Sequence, residues 1–154
     1  IPFESEWAVM KREYGSKGYS VTHHPLSILR HWLEERSRSL RRQRFVPYYN
    51  SQEVNEPKVQ TRDKLRVAGL LSTTQRPPTA KGFCFLTLED EFGFMNIVVP
   101  PDVYQKERLT IYSRALIEVQ GSVEKSGEVV NIRAQRILPL TGWNRDQSLA
   151  HSPT

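Results

Sequence analysis

The chain has 154 residues, 22 Lys and Arg against 17 Asp and Glu for a formal net charge of +5, and a single cysteine. One cysteine excludes an internal disulfide framework, and no run of 18 apolar residues is present to span a bilayer, so no membrane role is expected and a cytoplasmic location is. The basic balance, with a sequence pI near 9.5, favours polyanionic partners.

In chain order, the first expected element is a helix from about Pro25 to Ser37, with Pro25 in its first turn and Leu26, Ile28, Leu29, Trp32 and Leu33 along one stripe that packs on a neighbour. Arg36, Arg38, Arg41, Arg42 and Arg44 follow, five arginines in nine residues. They read equally as a contact to DNA backbone or an acidic partner and as a solvated helix end. Residues 45–61 carry two prolines and two tyrosines among polar groups and read as a linker without regular structure.

Alternation begins at Lys64. Leu65, Val67, Gly69 and Leu71 share one face of a first strand, with Gly69 the expected site of a bulge or bend. A basic loop follows, in which Pro77 and Pro78 hold the tip extended so that Arg76 and Lys81 stand apart. In the second strand Cys84, Leu86 and Leu88 share one face and Phe83, Phe85 and Thr87 the other; Asp90 to Gly93 form a tight connection. In the third, Met95, Ile97 and Val99 face the core, leaving Phe94, Asn96 and Val98 outside. Pro100 and Pro101 end the sheet, and a helix from Asp102 to about Tyr112 offers Val103, Tyr104 and Leu109 as a plug. Strands at 115–121 and 129–134, joined by a turn at 125–128, complete the pattern. The tail from Thr141 is polar, with Trp143 its one anchor candidate.

Three strands, a helix and two strands make a mainly β fold, a five-stranded OB-fold barrel with its helix between strands 3 and 4, preceded by a helical linker segment. The expected divisions are 1–61 linker after a missing upstream domain, 62–138 barrel and 139–154 flexible tail. Such barrels bind single strands on the strand 2–3 face and adjoining loops. That assigns Arg66, Arg76 and Lys81 to phosphates, Phe83, Phe85 and Phe94 to base stacking, and Asn96 to a base edge or sugar. The competing reading tucks Phe83 or Phe85 under a loop or neighbouring domain.

Catalytic and metal chemistry find no support. Cys84 falls on the core face as a small hydrophobe, and His23, His24 and His31 have no cysteine pair to complete a zinc site. Glu89, Asp90, Glu91 and Asp102 lie at turns and read as turn and edge charges.

The run Gln75 to Val99, with "QRP-TAKG", "FLTLEDE-G" and "N-VV" in register, resembles the OB domain near the C-terminus of bacterial error-prone DNA polymerases, C-family alpha subunits of the translesion type. Trp7, Tyr14, Gly18-Tyr19-Ser20, His24-Pro25-Leu26 and Leu29-Arg30 resemble the linker after the helix-hairpin-helix region of the same family, so the likeness covers most of residues 1–138. Pro78 stands in place of a small residue and Pro100 in place of a tryptophan. The resemblance implies a non-catalytic, single-stranded template-binding module acting in damage-induced synthesis. It implies no cofactor for this segment, since the magnesium-binding aspartates belong to an absent palm domain. A start at Ile1 rather than Met fits a fragment of something longer. The alternative is a protein-interaction barrel that docks the polymerase onto other translesion-complex proteins. An anticodon-binding domain shares the fold but leaves the upstream "HPL--LR" unexplained.

Overall fold

Both faces of strand Lys64–Gln75 (β1) are apolar, Leu65, Val67 and Leu71 on one side and Ala68 and Leu70 on the other, so it needs cover twice. The computed structural model, which describes residues 24–140, shows what supplies it. One face closes a barrel with Cys84–Glu89 (β2), Phe94–Val99 (β3), Leu116–Ser126 (β4) and Val129–Pro139 (β5), ordered β1-β2-β3-β5-β4. The other lies under helix Pro25–Arg42 (α1), whose Leu26, Leu29, Leu33 and Leu40 pack on Ala68, Leu70 and Leu116. The predicted helix thus runs to Arg42, and its neighbour is the barrel itself. Expectations for Trp7, Tyr14, His23 and Trp143 fall outside the described residues.

Helix Pro101–Ser113 (α3), between β3 and β4, buries Val103, Tyr104 and Ile111 in the barrel core. Leu109 does not join them. Its side chain is 79% exposed, because the inward stripe runs through 103, 104, 107 and 111 and places 109 opposite. The fourth inward position, Glu107, accepts hydrogen bonds from the Ile137 N–H (2.9 Å) and Arg136 (3.0 Å).

Closure needs local irregularity. Register shifts occur between Leu71 and Thr73 and between Gln120 and Gly121, where strands bend round the barrel. Gly69, expected at a bulge, instead permits close approach of β2: a Cβ there would lie 3.0 Å from Leu88 Cβ and 3.1 Å from the Glu89 carbonyl oxygen. β3 and β5 pair in parallel, while every other neighbouring pair is antiparallel.

Residues 45–61, expected without structure, hold a short helix Ser51–Val54 (α2) started by an Asn50–Glu53 capping box. Tyr48, Val54 and Val59 are buried, and Tyr48 forms a parallel bridge with Arg66. Asp90 and Glu91, expected as turn and edge charges, are buried too. Asp90 Oδ1 accepts from the Phe92 and Gly93 N–H groups and the Ser51 hydroxyl, and Oδ2 accepts from the Ser51 N–H at 2.8 Å. Glu91 receives a two-pronged contact from Arg30 of α1, both bonds 2.7 Å. Removing one partner of such a pair typically costs about 3–5 kcal/mol, since the other charge stays buried.

Among the described residues, three that are not glycine adopt positive φ: Arg44 (63°), Arg62 (80°) and Lys81 (54°). Each bears roughly 1–2 kcal/mol of strain that glycine would avoid. Arg44 stands at the left-handed position after α1, where Phe45 N–H bonds the Leu40 carbonyl (2.8 Å) and Arg44 N–H the Arg41 carbonyl (3.0 Å).

Leu88 is wholly buried between β1 and β3, so Leu88→Ala is expected to lower unfolding free energy by about 2–5 kcal/mol, whereas Leu109→Ala should change it by less than about 0.5 kcal/mol. Urea titration of both variants checks the inward stripe of α3; equal losses would contradict it. His24 caps α1 by accepting the Leu26 N–H on Nδ1 at 3.0 Å, which requires that nitrogen unprotonated. Burial pulls the imidazole below its ordinary value despite the opposing pull of Glu89, Glu91 and Asp90. The unfolded chain therefore takes up this proton at higher pH than the folded one, so stability is greatest above about pH 6.5 and falls as pH drops below it. Urea midpoints at about pH 7.5 and about pH 5.5 should differ, and His24→Asn, which keeps a capping acceptor, should narrow the difference.

Candidate nucleic-acid interface

The outer surface of β2, β3 and β5, continued onto β1, is organised in rows by strand register. One row runs Gln75, Phe85, Val98, Arg133; the next runs Thr73, Thr87, Asn96, Asn131; the last pairs Glu89 with Phe94. Alternation along each strand is what keeps these side chains out of the core. Phe85 is 38% exposed and Phe94 62%, separated by a hydroxyl and amide row in which Thr73 Oγ1 donates to Thr87 Oγ1 at 2.9 Å. Large apolar rings held outward on a rigid sheet, with amides between them, offer stacking faces and hydrogen-bonding groups to unpaired bases.

Charge divides along the face. Arg133, at the end of the Phe85 row, places its guanidinium 5.6 Å from the Phe83 ring centroid and 3.7 Å from Glu124. At the same end the β1–β2 loop brings Arg76 and Lys81, both exposed. Its tip is not extended: Pro78–Ala80 form a 3-10 turn, and Lys81 ends it in a left-handed conformation. Arg76 points to the barrel end, its guanidinium 4.0 Å from the Tyr104 ring centroid, which fixes the base of the loop. The far end is acidic, with Glu89 beside Phe94 and Glu128 in the β4–β5 turn. There a cleft of about 300 Å³ is lined by Phe94, Asn96, Val129 and Val130 together with Val54 and Asn55 at the end of α2.

Six of the seven residues expected at the interface lie on this face or its loop. Phe85, Phe94 and Asn96 are exposed on the sheet, Phe83 is half-buried against Arg133, and Arg76 and Lys81 flank the loop. Arg66 is the exception. It lies on the β1–β4 side beneath the end of α1, giving one hydrogen bond to the Val46 carbonyl (2.7 Å) and one to Glu118 (2.9 Å). Glu118 is buried and also accepts from Tyr48 Oη and from Gln120 at 2.8 Å, so the arginine serves to neutralise an interior carboxylate. Burial and that carboxylate push the Tyr48 phenol well above its ordinary range, keeping it a donor.

Asn131 and Arg133 were not among the sequence candidates. Their signal is the alternation of β5, where Ile132 and Ala134 face inward, but it becomes meaningful only once β5 pairs with β3. Among the described residues no group of three His, Cys, Asp or Glu could hold a metal ion. No described helix is long and apolar enough to cross a membrane.

Residues 65–140 match the family described as OB-fold nucleic acid binding domain. The chain is 60% identical over 140 residues to an error-prone DNA polymerase of Bdellovibrio bacteriovorus, a match covering 91% of this chain and 13% of that protein. It is 34% identical over 143 residues to the error-prone DNA polymerase of Dechloromonas aromatica, covering 93% of this chain and again 13% of the relative. Asparaginyl-tRNA synthetase from Pyrococcus horikoshii superimposes with a TM-score of 0.48 at 21% identity, over 71% of this chain and 27% of that one. The chain thus spans about an eighth of the polymerases it matches. On its barrel topology, the family match over residues 65–140 and its identity to the polymerase sequences, the chain belongs to the OB-fold nucleic-acid-binding domains, and within them to the segment found in error-prone DNA polymerases.

Proposed function

We propose that this domain binds single-stranded DNA, holding unpaired template for an error-prone polymerase in translesion synthesis while contributing no catalytic group of its own. The observation that carries this reading is the row pattern: exposed Phe85 and Phe94 on either side of Thr87, Asn96 and Asn131, with Arg133, Arg76 and Lys81 gathered at one edge. Bases stack on the rings and meet amides between them; phosphates follow the cationic edge and avoid Glu89 and Glu128. Nothing in the pattern reads a particular base, which suits a template of any sequence. One detail favours the alternative of protein docking at the opposite end, where exposed Phe94 lies across from Glu89 and exposed Phe92 sits in the adjoining turn.

Fluorescence anisotropy with labelled oligo-dT and with a blunt duplex of equal length distinguishes the two. Single strands should bind more tightly, and Phe85→Ala should weaken that binding by about 1–3 kcal/mol while the domain stays folded. Lys81→Gln should reduce the magnitude of the log–log salt slope by about 0.7. Duplex bound as tightly as single strand would sink the stacking reading; affinity and salt slope untouched by Phe85→Ala, Arg133→Gln and Lys81→Gln together would pass the face to a protein partner.

A further inference from the structure

We infer that the C-terminal end of α1 and the residues just after it form a second contact for single-stranded nucleic acid, on the β1–β4 side of the barrel and separate from the β2–β3 face. The proposal extends the single-strand reading to another surface and shares with it only the class of polymer. Residues 41 to 45, Arg-Arg-Gln-Arg-Phe, are all exposed, and the Phe45 ring is 55% exposed in the midst of three arginines. Elsewhere this protein pairs arginines it uses structurally: Arg30, Arg38, Arg66 and Arg136 each lie against a carboxylate. Arg41, Arg42 and Arg44 have no such partner among the described residues.

Arg41 and Arg42 lie in the last turn, where cations complement the helix dipole, whereas Arg44 lies beyond it. Arg44 occupies a position whose φ of 63° glycine would satisfy without strain, and the bonds that Arg44 and Phe45 give to the helix end are made by their backbone N–H groups. Arg44 thus stands at a strained position with no hydrogen bond or ion pair from its guanidinium to another described residue, which leaves that group open to a partner. An exposed ring flanked by guanidinium groups is suited to a base and its neighbouring phosphates. Packing fixes the site in place: Leu40 is buried, Arg36 donates to Tyr48 Oη at 3.0 Å, and the chain after Phe45 leads to the Tyr48–Arg66 bridge.

The test compares fluorescein-labelled oligo-dT of about 8 and about 40 nucleotides, either side of the roughly 4–16 nucleotides one such barrel covers, on the 154-residue chain. Arg44→Gly should melt at the same temperature as the parent or higher, bind the short oligomer unchanged, and bind the long one several-fold more weakly, with a salt slope smaller by about 0.7. Phe45→Ala should weaken only the long oligomer and leave its salt slope unchanged. Phe85→Ala, in contrast, should weaken both lengths. Unchanged long-oligomer affinity in Arg44→Gly and in an Arg41→Gln, Arg42→Gln double variant would overturn the proposal and leave the patch to an acidic protein. Equal losses for both lengths in Arg44→Gly would also overturn it, because the two surfaces would then be one site. If Arg44→Gly shows the length-selective loss and Phe85→Ala loses nothing, this contact stands and the groove reading fails.

Discussion

One buried carboxylate holds the arrangement together. Asp90 closes its own turn by accepting the Phe92 and Gly93 amides, takes the first amide and hydroxyl of α2 through Ser51, and lies 3.7 Å from the Arg30 guanidinium of α1. Glu91 next to it completes the tie to Arg30. Without these links, the three pieces would meet at the β2–β3 turn largely through apolar contact, which is non-directional, and through His24 facing Glu89 at 3.8 Å. With them, the turn that sets the spacing of Glu89 and Phe94 is fixed to the helix lying on the opposite side of β1. The candidate interface is therefore presented by a rigid sheet, as a stacking surface requires.

The barrel was legible because its strands alternate cleanly. Cys84, Leu86 and Leu88 on β2 and Met95, Ile97 and Val99 on β3 fall inward as period 2 demands, and Pro100-Pro101 marks where the sheet gives way to α3. What failed was every feature that depends on a distant partner. The acids at 90 and 91 look like turn charges until Arg30 and Ser51, far away in sequence, are brought against them. Residues 45–61 look structureless because their order comes from packing Tyr48, Val54 and Val59 onto the barrel rather than from any local period. Leu109 was misplaced by an error of phase within a short helix, where one residue shifts a side chain by 100°.

The interface divides the same way. Phe85, Phe94 and Asn96 could be placed from the alternation of two adjacent strands, since hairpin partners are neighbours in sequence. Arg66 could not, because both faces of β1 are covered and parity alone does not say which cover lies where; the side it occupies belongs to α1 and the buried Glu118. Arg133 and Asn131 reach the interface through the parallel β3–β5 closure, a pairing of strands more than thirty positions apart for which neither segment carries a local sign.

Cys84 gives the barrel a reporter of its own opening. The thiol is fully buried, burial holds its ionisation above the ordinary range, and Tyr104 and Arg76 cover the same end of the barrel. Thiolate is the reactive form, so a disulfide reagent can modify this side chain only during moments when β2 parts from its neighbours. The modification rate then measures that fluctuation at the root of the basic loop, without a label or an engineered residue. On the proposed function, a strand of DNA lying across the loop would hold β2 in place and slow the reaction, and one native sulfur would then convert occupancy of the groove into a chemical clock.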